Sequence, residues 1–438
     1  MTRHSSLPGF RDFFPEEMAR RNQIFRAWRD VARRYGFDEY DGPPLESLEL
    51  FVAKSGPEIV NQLFNFTDKG GREVALRPEM TPTLVRMLGS KIKGLPRPVR
   101  WFSTPQLFRY EKQQRGRLRE HFQLNMDIVG EDSVLADADL LAAALNVLTD
   151  LGLESGDVIA RYSDRRLLQF ALLDLGVREE DLPVAYNVID KVDREPREVG
   201  LKRLVDLGMT ADQAAKAFSL TEVRDLHELA RRFPDNPAME KVVDELTTYE
   251  STLRALGYFD FIAFDMKIVR GLAYYTGIVF EIFDRKGELR AICGGGRYDR
   301  LFSALAGVDI PALGFGFGDV VLGELLKEKG LAAGGGRAVD AFVIADGARA
   351  ESVAAAVAFL RTAGRSVVFD YRQSSNINLG KSLKSAVAAG ARHAIILGTS
   401  ESEPAGLSVK VRDLEAATQE EMLLSAYLQK YPIIAMGR

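Results

Sequence analysis

Along LFRYEKQQRGRLREHFQLNMDIVG, residues 107 to 130, groups able to do chemistry recur at every second position. A spacing of two puts side chains on one face of an extended chain, and the stretch predicts a β-hairpin. In the first arm Phe108 and Tyr110 point one way and Arg109 and Glu111 the other. In the second, Phe122, Leu124, Met126 and Ile128 form one face, and Gln123, Asn125 and Asp127 the opposite one. The joining loop carries Arg115, Arg117 and Arg119 around Gly116. One surface therefore presents an arginine, two carboxylates and two amides, a floor suited to a zwitterionic ligand and a phosphate. The wet face of an antiparallel sheet accounts for the same alternation without a ligand.

Further candidates lie on both sides of the hairpin. REVALRPEMTPTLVRM, starting at Arg72, reads strand, turn, helix, with Thr81 and Pro82 opening the helix by cap and first-turn chemistry. Glu79 stands at the strand end, either as a first-turn carboxylate favoured by the helix dipole or as a partner for an ammonium group. Downstream, FDFIAFDMKIVRGLAYYTGIVFEIFD reads strand, loop, strand, with Arg270, Tyr274 and Tyr275 in or beside the loop. Gly294, Gly295 and Gly296 follow in succession, then Gly314, Gly316 and Gly318 on one face of a strand. Glycines so placed leave a slot for a flat ligand; a bulge or tight packing of the sheet explains them too.

The elements that must hold these groups span 438 residues, too many for one core, so two or three domains are expected. Hydrophobic residues make up 46% and charged residues 27%, the balance of a globular protein. The one cysteine, Cys293, excludes an intrachain disulfide framework and points to a reducing, intracellular setting. MTRHSSLPGF has no apolar signal core, and no stretch reaches the ~18 apolar residues of a membrane span. With a net charge of −4, nucleic-acid binding must come from local basic patches. His4, His121, His227, His393 and Cys293 show no zinc-ligand spacing.

Residues 15 to 35 predict an amphipathic helix with six arginines on its outer surface, a solvated face or a contact for RNA or a subunit. FDEYDGPPLESLELF reads as a short extended segment, an edge or turn at Pro43–Pro44 of the kind that often meets another subunit. A strong helix spans 134 to 152, and 164 to 254 is helix-rich without a catalytic signature. GLAAGGGRA, 330 to 338, forms a linker. Alternating β and α patterns beyond it predict a compact α/β domain with a mostly parallel sheet, without a P-loop or dinucleotide fingerprint.

These motifs carry a specific resemblance. FRYEKQQRGRLREHFQLNMDIVG resembles motif 2 of the class II aminoacyl-tRNA synthetases, and VRGLAYYTGIVFE resembles a peptide peculiar to the histidyl branch of that family. CGGGRYD and GFGFG are similar to its motif 3 region, YDGPPLESLELF to the dimer-forming motif 1, and LRPEMTPTLVRM to its amino-acid-binding turn. The resemblance covers nearly the whole chain. It implies an α+β fold: an antiparallel-sheet catalytic core in two segments, 1–163 and 255–329, a helical insertion at 164–254, the linker 330–338, and an anticodon-binding α/β domain at 339–438.

The implied activity is ATP-dependent activation of L-histidine and its transfer to the 3′ end of tRNA(His), by a cytoplasmic homodimer with Mg2+ at the phosphates. In that scheme Glu79, Thr81 and Gln123 hold the α-ammonium. Asp127 and Tyr275 bond the imidazole, and Tyr274 and Tyr298 complete the histidine pocket. Arg109 and Arg270 are the catalytic cations at the α-phosphate. Glu111, Arg117, Gly316 and Gly318 belong to the ATP side. The chain departs from the family pattern in three places: Asp127 stands where a glutamate is frequent, Ala273 replaces an acidic residue, and Val321 occupies the place of the motif 3 arginine. The alternatives are a histidine-binding regulatory paralogue, which would lack the C-terminal domain, and a dimeric sensor that has lost ATP use.

Overall fold

The computed structural model describes residues 4–112, 114–192, 195–268, 274–334, 339–372, 378–399 and 402–432. The chain divides into two compact units, Met1–Ala333 and Gly334–Arg438.

The first unit opens with α1 (Pro15–Arg34), which has Pro15 in its first turn, Glu16 and Glu17 at the positive end of the helix dipole and Arg33 and Arg34 at the negative end. Its stripe of Ile24, Ala27, Trp28, Val31 and Ala32 is buried. The segment read as extended is a composite: β1 (Asp38–Glu39), β2 (Leu45–Ser47) and then a helix, α2 (Leu48–Ser55), closed at Gly56 with φ +80°. Next come β3 (Asn65–Thr67), β4 (Glu73–Leu76) and α3 (Thr81–Gly89). Met80, not Thr81, occupies the cap position of α3, and no side chain caps it. The Thr81 side chain is instead turned to a cavity described below.

β5 (Val99–Ser103), β6 (Gln106–Phe108) and β7 (Glu120–Val129) follow. The hairpin forms with Leu107 opposite His121, but its first arm is regular over three residues only. Beyond β7, α4 (Val134–Asp150) is capped by Ser133 and closed by Gly152 at φ +84°. β8 (Val158–Asp164) leads into six helices among the described residues: α5 (Arg165–Asp174), α6 (Leu182–Asp190), α7 (Arg197–Asp206), α8 (Ala211–Ser219), α9 (Leu226–Arg232) and α10 (Pro237–Ala255). Leu167, Phe218, Leu246 and Tyr249 from this stretch are buried in one core with Trp28 of α1 and Leu145 of α4. β9 (Ile262–Phe264) then pairs in parallel with β8, so the helices enter and leave at one edge of the sheet.

β10 (Ile278–Asp284), β11 (Cys293–Arg297), α11 (Leu301–Ala306), β12 (Ala312–Gly318) and α12 (Asp319–Glu328) finish the unit. The strands lie in the order β1-β5-β7-β12-β11-β10-β8-β9, with β6 paired to β7. At the centre, Gly314 faces Asp127, Gly316 faces Asn125 and Gly318 faces Gln123 across β12 and β7. Residues opposite one another in antiparallel strands share a face. The polar face of β7 is therefore bordered by glycines, while Leu124, Met126 and Ile128 enter the core on the other side.

The second unit contains β13 (Val339–Ala345), α13 (Ala350–Thr362), β14 (Val367–Phe369), α14 (Leu379–Ala388), β15 (Ala391–Leu397), β16 (Ser408–Asp413), β17 (Gln419–Leu423) and α15 (Leu424–Lys430). Its sheet is mixed, not mostly parallel. β13 pairs in parallel with β14 and β15, while β16 is antiparallel to β15 and β17. The last two strands are joined by a hairpin, which needs no crossover helix.

Candidate functional site

Asp127 lies at the bottom of the polar face of β7 and is buried. Tyr298, one residue past β11 and itself buried, donates its hydroxyl to Asp127 Oδ1. Tyr298 is fixed by its own N–H on Ala312 O (2.7 Å) and by neighbouring Arg297, whose guanidinium pairs with buried Asp137 of α4. Tyr274 packs edge-on to Tyr298 at 6.0 Å and lies 4.6 Å from the Tyr275 ring. Burial pushes the Asp127 carboxyl up to about 7, opposed by the Tyr298 hydrogen bond and by the charge of Lys54.

The glycines shape the space beside it. A Cβ on Gly314 would stand 2.0 Å from Asp127 Oδ1, and one on Gly316 would stand 2.6 Å from Gln123 Nε2. Neither gap admits a carbon atom. Their absence opens a cavity of about 90 Å3 walled by Glu79, Thr81, Arg109, Gln123, Asp127, Tyr274, Tyr275, Tyr298, Gly314 and Gly316, together with Asn125, Gly294 and Phe315.

The turn after β4 delivers Glu79 and Thr81. It is held by Arg77, which is buried and donates to Asp41 Oδ1 (2.6 Å), Gly42 O (2.7 Å) and Gln106 O (3.1 Å). Arg109 Nε donates to Pro78 O at 3.0 Å, which ties the guanidinium to the same turn. Lys54, from α2, forms an ion pair with Glu79 and stands 4.2 Å from the centroid of the Tyr274 ring. Arg77 and Lys54 were not singled out by the motif reading.

A second cavity of about 760 Å3 adjoins the first, and the two share Arg109, Gln123, Gly294 and Gly316. Its wall includes Arg117, His121, Glu281, Arg290, Gly318 and Val321. Burial, with Arg109, Arg11 and Arg117 nearby, pushes the His121 imidazole down to about 3, so the ring is neutral. Glu111 is in the wall of neither cavity and forms an ion pair with Arg117, which is in the wall of the second. Arg115 pairs with Glu328 of α12 at 2.6 Å, and Arg119 lies 4.5 Å above the Tyr110 ring. The Val321 side chain borders Gly116. Arg290 approaches the same glycine from the β10–β11 connection and donates to Gln114. Arg270 lies outside the described residues.

The site thus has a small, polar compartment with a carboxylate and tyrosines at one end and a carboxylate and hydroxyl at the other. A larger, cation-lined compartment opens from it, with Arg109 at the junction. That arrangement fits an amino acid beside a polyanion, with the amino-acid carboxylate and a phosphate meeting at one guanidinium. Among the described residues no three His, Cys, Asp or Glu side chains form a metal cage. A Mg2+ carried on ATP phosphates needs only one or two carboxylates and keeps its waters. Glu281 in the wall and Glu111 beside it meet that requirement.

Comparison with known proteins agrees with this architecture. The family profile for histidyl-tRNA synthetase matches residues 9–318. Histidine--tRNA ligase of Opitutus terrae is 43% identical over 436 residues, covering 96% of each chain. The chloroplastic/mitochondrial histidine--tRNA ligase of Arabidopsis thaliana is 42% identical, covering 95% of this chain and 84% of that one. The crystal structure of histidyl-tRNA synthetase from Nostoc sp. PCC 7120 has the same fold, with a TM-score of 0.81 at 24% identity, covering 98% of this chain and 99% of that one. The profile covers most of the first unit, the Opitutus terrae relative extends over nearly the whole chain, and the chain belongs to the histidyl-tRNA synthetase family.

Proposed function

We propose that this chain is a histidine–tRNA ligase that joins L-histidine to ATP as histidyl-adenylate and passes the histidyl group to the 3′ end of tRNA(His). The observation that carries the reading is the pair of adjoining cavities that share Arg109, one fitted to an amino acid and the other to a polyanion.

Glu79, Thr81 and Gln123 receive the α-ammonium of histidine. Asp127, held by Tyr298, accepts from one imidazole nitrogen. Tyr275 serves the other, and Tyr274 closes the pocket. The histidine carboxylate attacks the α-phosphorus of ATP. A new P–O bond forms, the bond to the β-phosphate oxygen breaks, and pyrophosphate leaves. The carboxylate is already ionised, so no general base is required. The barrier is lowered by positioning and by neutralising charge on the phosphate oxygens. Arg109 spans carboxylate and α-phosphate, with Arg270 as a second cation. Gly316 and Gly318 form the floor under adenosine, and Arg117 with Glu111 lies toward the terminal phosphates. Glu281, with Glu111 beside the wall, would hold a Mg2+ carried on the ATP phosphates, and that ion would supply further neutralising charge. A hydroxyl of the tRNA 3′ end then attacks the acyl carbon, and AMP leaves.

Arg290 takes the part of the missing motif 3 arginine on the adenosine side, since it reaches the space beside Val321 from another element. Arg290→Ala is expected to raise KM for ATP by roughly 3- to 30-fold, the worth of one cation–π contact, and to leave KM for histidine unchanged. Equal ATP affinity in variant and parent removes Arg290 from the nucleotide site.

The second unit reads the anticodon, whose unstacked bases are accessible as paired bases in an A-form stem are not. Its presence separates the ligase reading from that of a regulatory paralogue. A chain ending at Ala333 is expected to keep histidine-dependent ATP–pyrophosphate exchange and to lose ~10²-fold or more in kcat/KM for tRNA, the gain ordinarily supplied by linking two binding modules. Unchanged charging by the shortened chain would contradict the assignment. The edge around Pro43–Pro44 serves a cytoplasmic homodimer, and a sedimentation mass of one chain at micromolar concentration would rule the dimer out.

A further inference from the structure

Lys54 sits where a lysine is costly. Its side chain is 1% exposed, and its one ion pair among the described residues is with Glu79. Burying an ammonium carries a penalty that only a good partner offsets. α2 secures that placement, since Phe51 three residues earlier is buried and Gly56, two residues on, caps the helix. Glu79 keeps 22% of its side chain exposed and lines the amino-acid cavity, whereas Lys54 stands behind it against the Tyr274 ring. The described charged groups at this cavity are then Arg109, Lys54, Glu79 and Asp127.

We propose that Lys54 is a positioning and specificity residue for the amino acid: it fixes one oxygen of Glu79 and cancels that carboxylate's charge, so the pocket suits a zwitterion and disfavours ligands with a net positive charge. The inference rests on the assignment of this cavity to histidine. Without Lys54, Glu79 still attracts an ammonium, but its uncompensated charge repels the histidine carboxylate a few ångströms away. An imidazole-ethylamine such as histamine has the ring and the ammonium but no carboxylate, and escapes that repulsion.

The test is calorimetric binding of histidine and of histamine to the full chain without ATP. In Lys54→Met the ratio Kd(histamine)/Kd(histidine) is expected to fall about tenfold, the scale of one unscreened charge a few ångströms from another in a partly polar site. Lys54→Arg keeps the parental ratio. Glu79→Gln moves the ratio the opposite way, and Lys54→Met with Glu79→Gln returns it toward the parent. A purely structural lysine would weaken both ligands in step, and a ratio indifferent to charge across the series overturns the proposal. Should Lys54→Met not fold, Lys54→Gln, which removes the charge but keeps a polar side chain, is read by the same ratio and is expected to lower it, an unmoved ratio overturning the proposal. A parent chain that binds and activates no histidine would instead overturn the functional reading. Intact histidine activation with an unmoved ratio removes only the role of Lys54.

Discussion

Arg109→Ala is expected to slow histidine-dependent pyrophosphate exchange by ~10²–10³-fold, the cost of one preorganised donor at a developing charge. The guanidinium is fixed by its 3.0 Å bond to Pro78 O and stands in the wall of both cavities. In the proposed reaction it is the cation that meets the carboxylate and the α-phosphate together. Arg109→Lys is expected to recover little, because an ammonium lacks the planar fork that binds two oxygens in parallel. Because Arg109 acts where charge builds during attack, the loss should fall mainly on kcat, with smaller changes in KM for either substrate. Single-turnover formation of adenylate measures this directly. A rate within a few-fold of the parent would remove Arg109 from the reaction.

Asp127→Asn is expected to lower kcat/KM for histidine by roughly 10- to 100-fold, the worth of a hydrogen bond to a charged group. The carboxyl titrates near 7 because burial outweighs the Tyr298 hydrogen bond and the Lys54 charge. Its ionised form, the one able to accept from an imidazole N–H, is populated above that pH and is lost as pH falls through it. kcat/KM for histidine should therefore decline on the acid side with an apparent pKa near 7, and Asp127→Asn should lack that limb. Any remaining acid dependence belongs to free histidine, whose ring titrates at about 6.5. Stability runs the other way. A carboxyl whose pKa is raised by folding destabilises the fold as it ionises above its unfolded value, so the neutral Asn should melt no lower than the parent at pH 8. An unaltered pH profile in the variant would take Asp127 out of the imidazole contact.

Much of the site is written in local periodicity. Gln123, Asn125 and Asp127 alternate with Leu124, Met126 and Ile128, and the period of two separates the polar face from the apolar one, though by itself it does not distinguish a ligand floor from a wet face. The glycines of β12 signalled the space beside them for the same reason, since a strand without side chains leaves a gap. The supporting groups were hidden because their partners are distant in sequence. Lys54 meets Glu79 twenty-five residues on, and Arg77 grips Asp41 and Gln106, both about thirty residues or more away in the chain. LELF opens α2, but beside Pro43 and Pro44 it reads as the end of an extended segment. In the second unit, β16 is antiparallel to both β15 and β17, and the β16–β17 loop has no two-residue glycine turn to mark the hairpin locally.

The central claim is tested most directly by ATP–pyrophosphate exchange with each of the twenty amino acids in turn, without tRNA. The account predicts exchange with histidine and background rates with the others, because in the proposed pocket Asp127 and Tyr275 pair with the two nitrogens of an imidazole. Exchange with another amino acid, or none with histidine while histidine still binds, would contradict it.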